Sequence, residues 1–298
     1  MVTLGNFDGA HLGHQAIFRR TVERAGQIGG TPVVYTFDPH PLKLLSPSQE
    51  LPLLCTFKKK MELLAALDIQ ITILADFNRA FAAMHPRDFA AKLYNGLAMD
   101  TVVVGHDYSF GQGGAGSIDY LKKMGDELGF RVEVIEPVSL DGERISSSQI
   151  RRLLKEGNVA RSARMLGRYY SIEGKVTEGH HRGGTQLGFP TANLKTPFEM
   201  IPAVGVYAVF ARMGDGPLQD GVANVGLNPT FNRDDLVVET HLMDAAGDMY
   251  GAEMEIFFVQ RLRDERKFSG VDELRDQIKA DVEQARSLLA KAGYSGLI

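Results

Sequence analysis

The chain opens MVTLGNFDGAHLGHQAI, Met1 to Ile17. Val2–Leu4 reads as a short strand that ends on Gly5. Asn6, Asp8 and Gly9 form a turn, and His11 and His14 flank Gly13. A helix is expected to open at His14 and Gln15. In a parallel sheet covered by helices, ligands bind beyond the C-terminal ends of the strands. The glycines let a ligand approach the backbone. The first N–H groups of the helix and its dipole favour an anion, and two imidazoles can donate to phosphate oxygens. The same residues also fit a Gly-rich strand-to-helix turn with incidental histidines. Metal binding is disfavoured because no third ligand lies nearby in sequence. Neither the P-loop nor the dinucleotide fingerprint is present.

Outward from this stretch, short apolar runs alternate with helical periodicity. Strands are expected at Val2–Leu4, Val33–Phe37, Ile69–Leu74, Thr101–Gly105 and Phe130–Ile135, with helices at Phe57–Leu67, Arg79–Asn95 and Ile118–Leu128. This alternation predicts an α/β domain with a parallel sheet. After about Gly167 the texture changes. Tyr170–Val176, Val206–Met213, Gln219–Val225, Leu236–Leu242 and Glu253–Val259 alternate with turn signals, which predicts an antiparallel sheet or barrel. Val271, Leu274, Ile278, Val282, Ala285 and Leu289 then recur at helical spacing. The expected domains are residues 1–167 and 168–298, with no internal repeat.

The 298 residues carry a net charge of −4 and are 44% hydrophobic. That length fits two domains of roughly 100–200 residues. The balance lacks the basic footprint of a duplex nucleic-acid binder. Cys55 is the one cysteine, so no intrachain disulfide forms and a reducing compartment is expected. No apolar stretch approaches the ~20 residues that span a bilayer, and the first residues are too polar for a signal peptide. The expected setting is cytoplasmic, away from nucleic acid and membranes.

Six further features bear on chemistry. In RISSSQIRRLL, from Arg144, one of Ser146, Ser147 and Ser148 can cap a helix, and Arg144 and Arg151 would complete an anion site; a serine-capped surface helix fits equally. Asp38-Pro39-His40-Pro41 is a kinked loop, and Asp107 lies beyond a strand end or in a simple turn. GKVTEGHHRGGTQLGFPTANL, Gly174 to Leu194, can wrap phosphates with a Gly-rich flap. Thr191 and Asn193 share a face on an extended segment and offer oxygens to Mg²⁺; a hairpin loop before an ordinary strand is the plainer reading. Glu239 and His241 share one strand face opposite an apolar one, where a general base or a solvated acid both fit. Arg261, Arg263, Arg266 and Lys267 form a basic cluster before the last helix.

GNFDGAHLGH resembles the HxGH signature of the nucleotidylyltransferase superfamily, and its surroundings resemble the FAD synthetase branch. TFDPHP at Thr36–Pro41, VVGHDYSFG at Val103–Gly111 and RISSSQIR at Arg144–Arg151 follow in that family's order. LGFPTANL is similar to the hallmark of riboflavin kinase. It is joined by GVYAV at Gly205–Val209, ANVGLNPTF at Ala223–Phe231, VETHL at Val238–Leu242 and QRLRDERKF at Gln260–Phe268. The sequence thus resembles the fused bacterial riboflavin kinase/FAD synthetase family over nearly its whole length.

The resemblance implies a Rossmann-like, HxGH-type nucleotidyltransferase domain followed by an antiparallel barrel with a C-terminal helix. It implies phosphorylation of riboflavin to FMN by ATP with Mg²⁺, then adenylylation of FMN to FAD. His11, His14, Arg144, Ser147 and Arg151 would serve adenylylation. Glu239, pointing into the barrel mouth, would be the kinase base, with Thr191 and Asn193 on Mg²⁺. Nucleotide or flavin contacts would fall to Gly5, Asn6, Phe7, Asp8, Gly13, Asp38, Asp107 and Ser148. In the second half they would fall to Gly174, Lys175, Gly179, Gly188, Pro190 and Arg263. A monomer or weak homo-oligomer is expected. The rival readings are a kinase whose N-terminal domain only binds nucleotide, and a non-catalytic flavin sensor.

Overall fold

A computed structural model describes residues 1–177, 191–227, 236–243 and 249–293. The chain forms two compact units, Met1–Leu53 with Phe57–Ser147, and Leu54–Thr56 with Ser148–Ile298.

The first unit is built on β1 (Val2–Leu4), β2 (Val33–Asp38), β3 (Ile71–Asp76), β4 (Thr101–Gly105) and β5 (Arg131–Ile135). They pair in parallel in the order β3-β2-β1-β4-β5. The chain runs outward from β1 to β3, then returns to β1's other side, so the switch point lies between β1 and β4. All three residues of β1 are buried, as a strand covered on both faces requires. Helices α1 (Leu12–Ile28), α2 (Pro41–Leu45), α3 (Phe57–Ala65), α4 (Arg79–Ala82), α5 (Pro86–Leu97) and α6 (Ile118–Leu128) connect the strands. Ile17 and Phe18 of α1 and Leu63 and Leu64 of α3 pack with Val34 and Val103. Phe89, Leu93, Leu121 and Met124 pack with Leu4, Val102 and Val104 on the other face. A short hairpin, β6 (Ser139–Leu140) and β7 (Glu143–Arg144), follows β5.

Two helix expectations need correction. The span expected as one helix over Arg79–Asn95 is two helices, α4 and α5. Pro86 sits at the start of α5, and His85 Nδ1 accepts the Arg87 N–H at 3.2 Å. A proline has no N–H to continue a helix but fits its first turn. Helix α1 begins at Leu12, ahead of the expected start, because His11 is its N-cap and accepts the His14 N–H through Nδ1 at 3.3 Å.

The second unit contains helices α7 (Ser147–Lys155, entered from the first unit's last residue) and α8 (Val159–Leu166), and a closed six-stranded barrel. Its strands are β8 (Tyr170–Thr177), β9 (Ala192–Lys195), β10 (Gly205–Met213), β11 (Leu218–Leu227), β12 (Leu236–Leu242) and β13 (Glu253–Arg263). They close antiparallel in the order β10-β11-β12-β9-β8-β13. Val176, Leu194, Val225 and Val238 lie side by side through the register and are buried; with Tyr207 and Phe258 they fill the interior. Helix α9 (Val271–Ala292) covers part of the outside, where Ala285 and Leu289 meet Ala208, Phe210 and Phe257. At Gly174 a Cβ would lie 2.2 Å from the Lys195 carbonyl oxygen, so β8 and β9 approach there only because the side chain is absent.

One buried ion pair clamps α9 to the barrel. The Arg263 guanidinium meets both Asp281 oxygens at 2.7–3.0 Å, and Gln277 Nε2 donates to Asp281 at 2.8 Å. The Asp281 side chain is 4% exposed and that of Arg263 21%. Removing one partner of such a pair leaves a buried charge, at a cost of about 3–5 kcal/mol. Asp281→Ala should therefore lower the urea midpoint of the unfolding step that reports the barrel; an unchanged midpoint in circular dichroism would refute the clamp.

Candidate functional site

In the first unit the turn after β1 is held by hydrogen bonds from α1 and from residues distant in sequence. Phe7, Gly9 and Ala10 adopt φ of 50°, 79° and 41°, the left-handed region that side chains rarely occupy. The Gly5 N–H donates to the Tyr35 carbonyl at 3.2 Å, and Gln15 Nε2 donates to the Ala10 carbonyl at 2.9 Å. The Asn6 carbonyl accepts from Thr36 Oγ1 at 3.3 Å and from Lys60 Nζ at 2.9 Å. The Asp8 carbonyl accepts from Ser147 Oγ at 2.9 Å. The Phe7 ring is buried against Phe18 and meets His14 edge-on at 5.3 Å.

This turn presents two stacked imidazoles, with His11 and His14 centroids 3.6 Å apart and planes 17° from parallel. A Cβ on Gly13 would come within 3.0 Å of the His11 ring. The histidines line a pocket with Gly13, Asp107, Arg144 and Ser147, and residues 135–138 also border it. Arg144 Nη2 pairs with Asp107 Oδ2 at 2.5 Å, both side chains about half exposed. Next in sequence to Asp107, Tyr108 stacks on Phe110 at 5.7 Å, and desolvation first and then Tyr35 push its hydroxyl well above the usual tyrosine range.

Not every expected ligand contact lies in this pocket. Phe7 is a core residue behind His14, and Gly5 is small because a Cβ there would fall 2.8 Å from the Phe7 ring. Asp8 is buried, and the Asn6 carbonyl is already bonded. Asp38 ends β2, and its carbonyl accepts the Phe77 N–H at 3.0 Å. His40 caps α2 through the Leu42 N–H. Ser148 and the buried Arg151 lie on α7 in the second compact unit. Lys60 escapes a sequence reading: it is the last of three lysines at a helix start, and only folding carries it to Asn6.

In the second unit the register assembles a polar row. Asn224 faces Glu239, Glu239 faces Asn193, and Asn193 faces Thr177 across β11, β12, β9 and β8. Facing residues of an antiparallel pair share a side of the sheet. Thr191 lies one residue ahead of β9, and Lys175 is an exposed residue on the Thr177 side of β8. The expectation that Glu239 points into the barrel is corrected. Val238, Thr240 and Leu242 take the inward positions of β12, so Glu239 and His241 stand on the outer face. Thr240 also makes that inward face less uniformly apolar than expected.

The basic cluster is largely consumed internally. Besides the Arg263–Asp281 clamp, Arg261 donates to the Val204 carbonyl at 2.6 Å and pairs with Asp264 at 2.9 Å. Arg266 pairs with Glu273 at 3.6 Å. Gly179, Gly188 and Pro190 lie outside the described residues. Among the described residues no group of three or more His, Cys, Asp or Glu is arranged to hold a metal. Thr191 and Asn193 instead offer the hydroxyl and amide oxygens that suit Mg²⁺ when phosphates complete its shell.

Comparison with known proteins agrees with this two-part layout. A FAD synthetase family model matches residues 1–149, and a riboflavin kinase model matches residues 166–289. The bifunctional riboflavin kinase/FMN adenylyltransferase of Pseudomonas fluorescens is 36% identical over 99% of this chain and 94% of its own length. That of Listeria monocytogenes is 37% identical over 98% and 93%. A crystal structure of a Streptococcus pneumoniae protein named a macrolide-efflux protein superposes with a TM-score of 0.89 at 32% identity, over 96% of this chain and 93% of the other. No helix among the described residues is long and apolar enough to cross a membrane.

Proposed function

The chain belongs to the family of bifunctional riboflavin kinase/FMN adenylyltransferases, and on that premise we propose which residues carry each of its two transfers. It phosphorylates riboflavin to FMN and adenylylates FMN to FAD. Adenylylation is assigned to residues 1–167 and phosphorylation to residues 168–298, a division supported by the order of the two matched models, residues 1–149 and then 166–289. ATP and Mg²⁺ are the co-substrate and metal, and the single cysteine supports a cytoplasmic setting.

The observation that carries the adenylylation reading is the stacked His11–His14 pair sharing a pocket with Arg144 and Ser147. An oxygen of the FMN phosphate attacks the α-phosphorus of ATP. The bond to the bridging oxygen breaks, and pyrophosphate leaves with its electron pair. A phosphate monoester is already largely dianionic at neutral pH, so this step needs no general base. It needs cations and N–H donors where charge develops, and His11, His14 and Arg144 supply them. Because the Arg144–Asp107 pair is half exposed, giving it up costs little, and Arg144 can turn to the phosphates.

Phosphorylation has the opposite requirement. The terminal ribityl hydroxyl attacks the γ-phosphorus, its proton must leave, and ADP departs. Glu239, flanked through the register by Asn193 and Asn224, takes that proton. Thr191 and Asn193 would hold Mg²⁺, whose contribution is to neutralise charge on the phosphates.

Glu239→Gln should slow riboflavin phosphorylation by roughly 10²–10⁴-fold, the usual worth of a general base, while FMN adenylylation stays within twofold. Equal loss of both in chromatographic assays would defeat the two-site assignment. His14→Ala should reduce FAD formation from FMN by about 10²-fold or more and spare the kinase; an unaltered adenylylation rate would remove His14 from the site.

A further inference from the structure

We infer that Lys60 binds the phosphate of the flavin acceptor during adenylyl transfer, an inference that rests on reading the turn after β1 as the phosphate cradle. Lys60 is half-buried on α3, and its ammonium donates to the Asn6 carbonyl at 2.9 Å. Its neighbours Lys58 and Lys59 both reach Glu62, at 3.2 and 3.5 Å. Among the described residues Lys60 reaches no carboxylate. An ammonium has three N–H donors, so one serves the neutral carbonyl and two are left beside the cradle. A partly desolvated cation without a counter-charge is costly, and an arriving anion would relieve that cost.

Location selects which anion. Attack on the α-phosphorus is in line, so the incoming phosphate and the departing pyrophosphate lie on opposite sides of the reacting atom. The pocket with Arg144, Gly105 and residues 135–138 lies on the β4–β5 side of β1, and Lys60 is not among its lining residues. Lys60 comes instead from α3, which links β2 to β3, and shares its acceptor with Thr36 of β2. The cradle therefore has one cation on each side. Arg144 is placed for the nucleotide phosphates and Lys60 for the acceptor phosphate.

The alternative is that Lys60 only props up the turn. Lys60→Gln separates the two, because its amide can still donate to the Asn6 carbonyl but carries no charge. With the full chain, FMN adenylylation should show a KM for FMN raised about tenfold or more, as loss of a charge-assisted contact implies. The KM for ATP and the rate of riboflavin phosphorylation should stay within twofold, and Lys60→Arg should recover most of the FMN affinity. Inhibition by lumiflavin, which has the ring system but no phosphate, should be equally strong in wild type and Lys60→Gln. An unmoved KM for FMN in Lys60→Gln, or KM values for FMN and ATP that rise together, would overturn the proposal. His14→Ala is the control on the underlying reading. If it leaves adenylylation intact, the cradle is misassigned; if it abolishes adenylylation while Lys60→Gln is silent, only the role of Lys60 falls.

Discussion

The first unit depends on a turn that the backbone would not adopt unaided. Three of the residues between β1 and α1 sit at positive φ, and two of them are not glycine. Such strain costs of order 1 kcal/mol or more per residue and persists only where the surroundings over-determine it. Thr36, Lys60 and Ser147 each donate a side-chain hydrogen bond to a carbonyl of the turn or of its entry, and Phe7 is driven into the core. These donors come from β2, α3 and Ser147, the last residue of the first unit, so the turn is right only when much of that unit has folded. The stacked histidines follow from that geometry, since His11 must cap α1 and His14 must lie one turn on.

On the proposed assignment, the two units answer what two phosphorus-transfer steps with different nucleophiles require. A phosphate nucleophile needs its charge managed, and the first unit offers imidazoles, guanidinium and ammonium around a backbone turn. A hydroxyl nucleophile needs its proton removed, and the second unit offers a carboxylate on a rigid strand. Both parts use regular structure to fix the chemistry: a helix cap in one, and the register of an antiparallel sheet in the other. Register is a dependable positioning device because a slip of one residue would send Glu239 inward and Val238 to the surface.

Much of this layout is legible in the sequence, for physical reasons that differ from residue to residue. β1, β4 and α6 match their expected spans because each has an unbroken apolar period and a clear stop, and β12 matches its own although Thr240 takes one inward position. The helix expected over Arg79–Asn95 fails at Pro86, where a missing N–H outweighs a continuous apolar pattern. His11 and His14 are visible as a motif, but their stacking is not, because it depends on which histidine caps the helix. Gly5 and Phe7 look like ligand contacts only because they sit inside that motif; the structure gives them a packing reason. Lys60 carries no signal at all, since its partner is a backbone carbonyl 54 residues away.

The arginines before α9 carry a wider lesson about reading charge from sequence. A run with Arg261, Arg263 and Arg266 suggests a phosphate site, yet the run also holds Asp264, and α9 brings Glu273 and Asp281. Their ion pairs fall to the needs of the fold: Arg263 is too buried to remain unpaired, and Asp281 is too buried to be left without it. Lys60 is the contrary case, a cation close to a proposed phosphate site that reaches no carboxylate among the described residues. The difference between the two cannot be found in residue type or local charge density. It lies in whether folding itself supplies the counter-charge, and where it does not, an anionic substrate is the physical candidate to supply it.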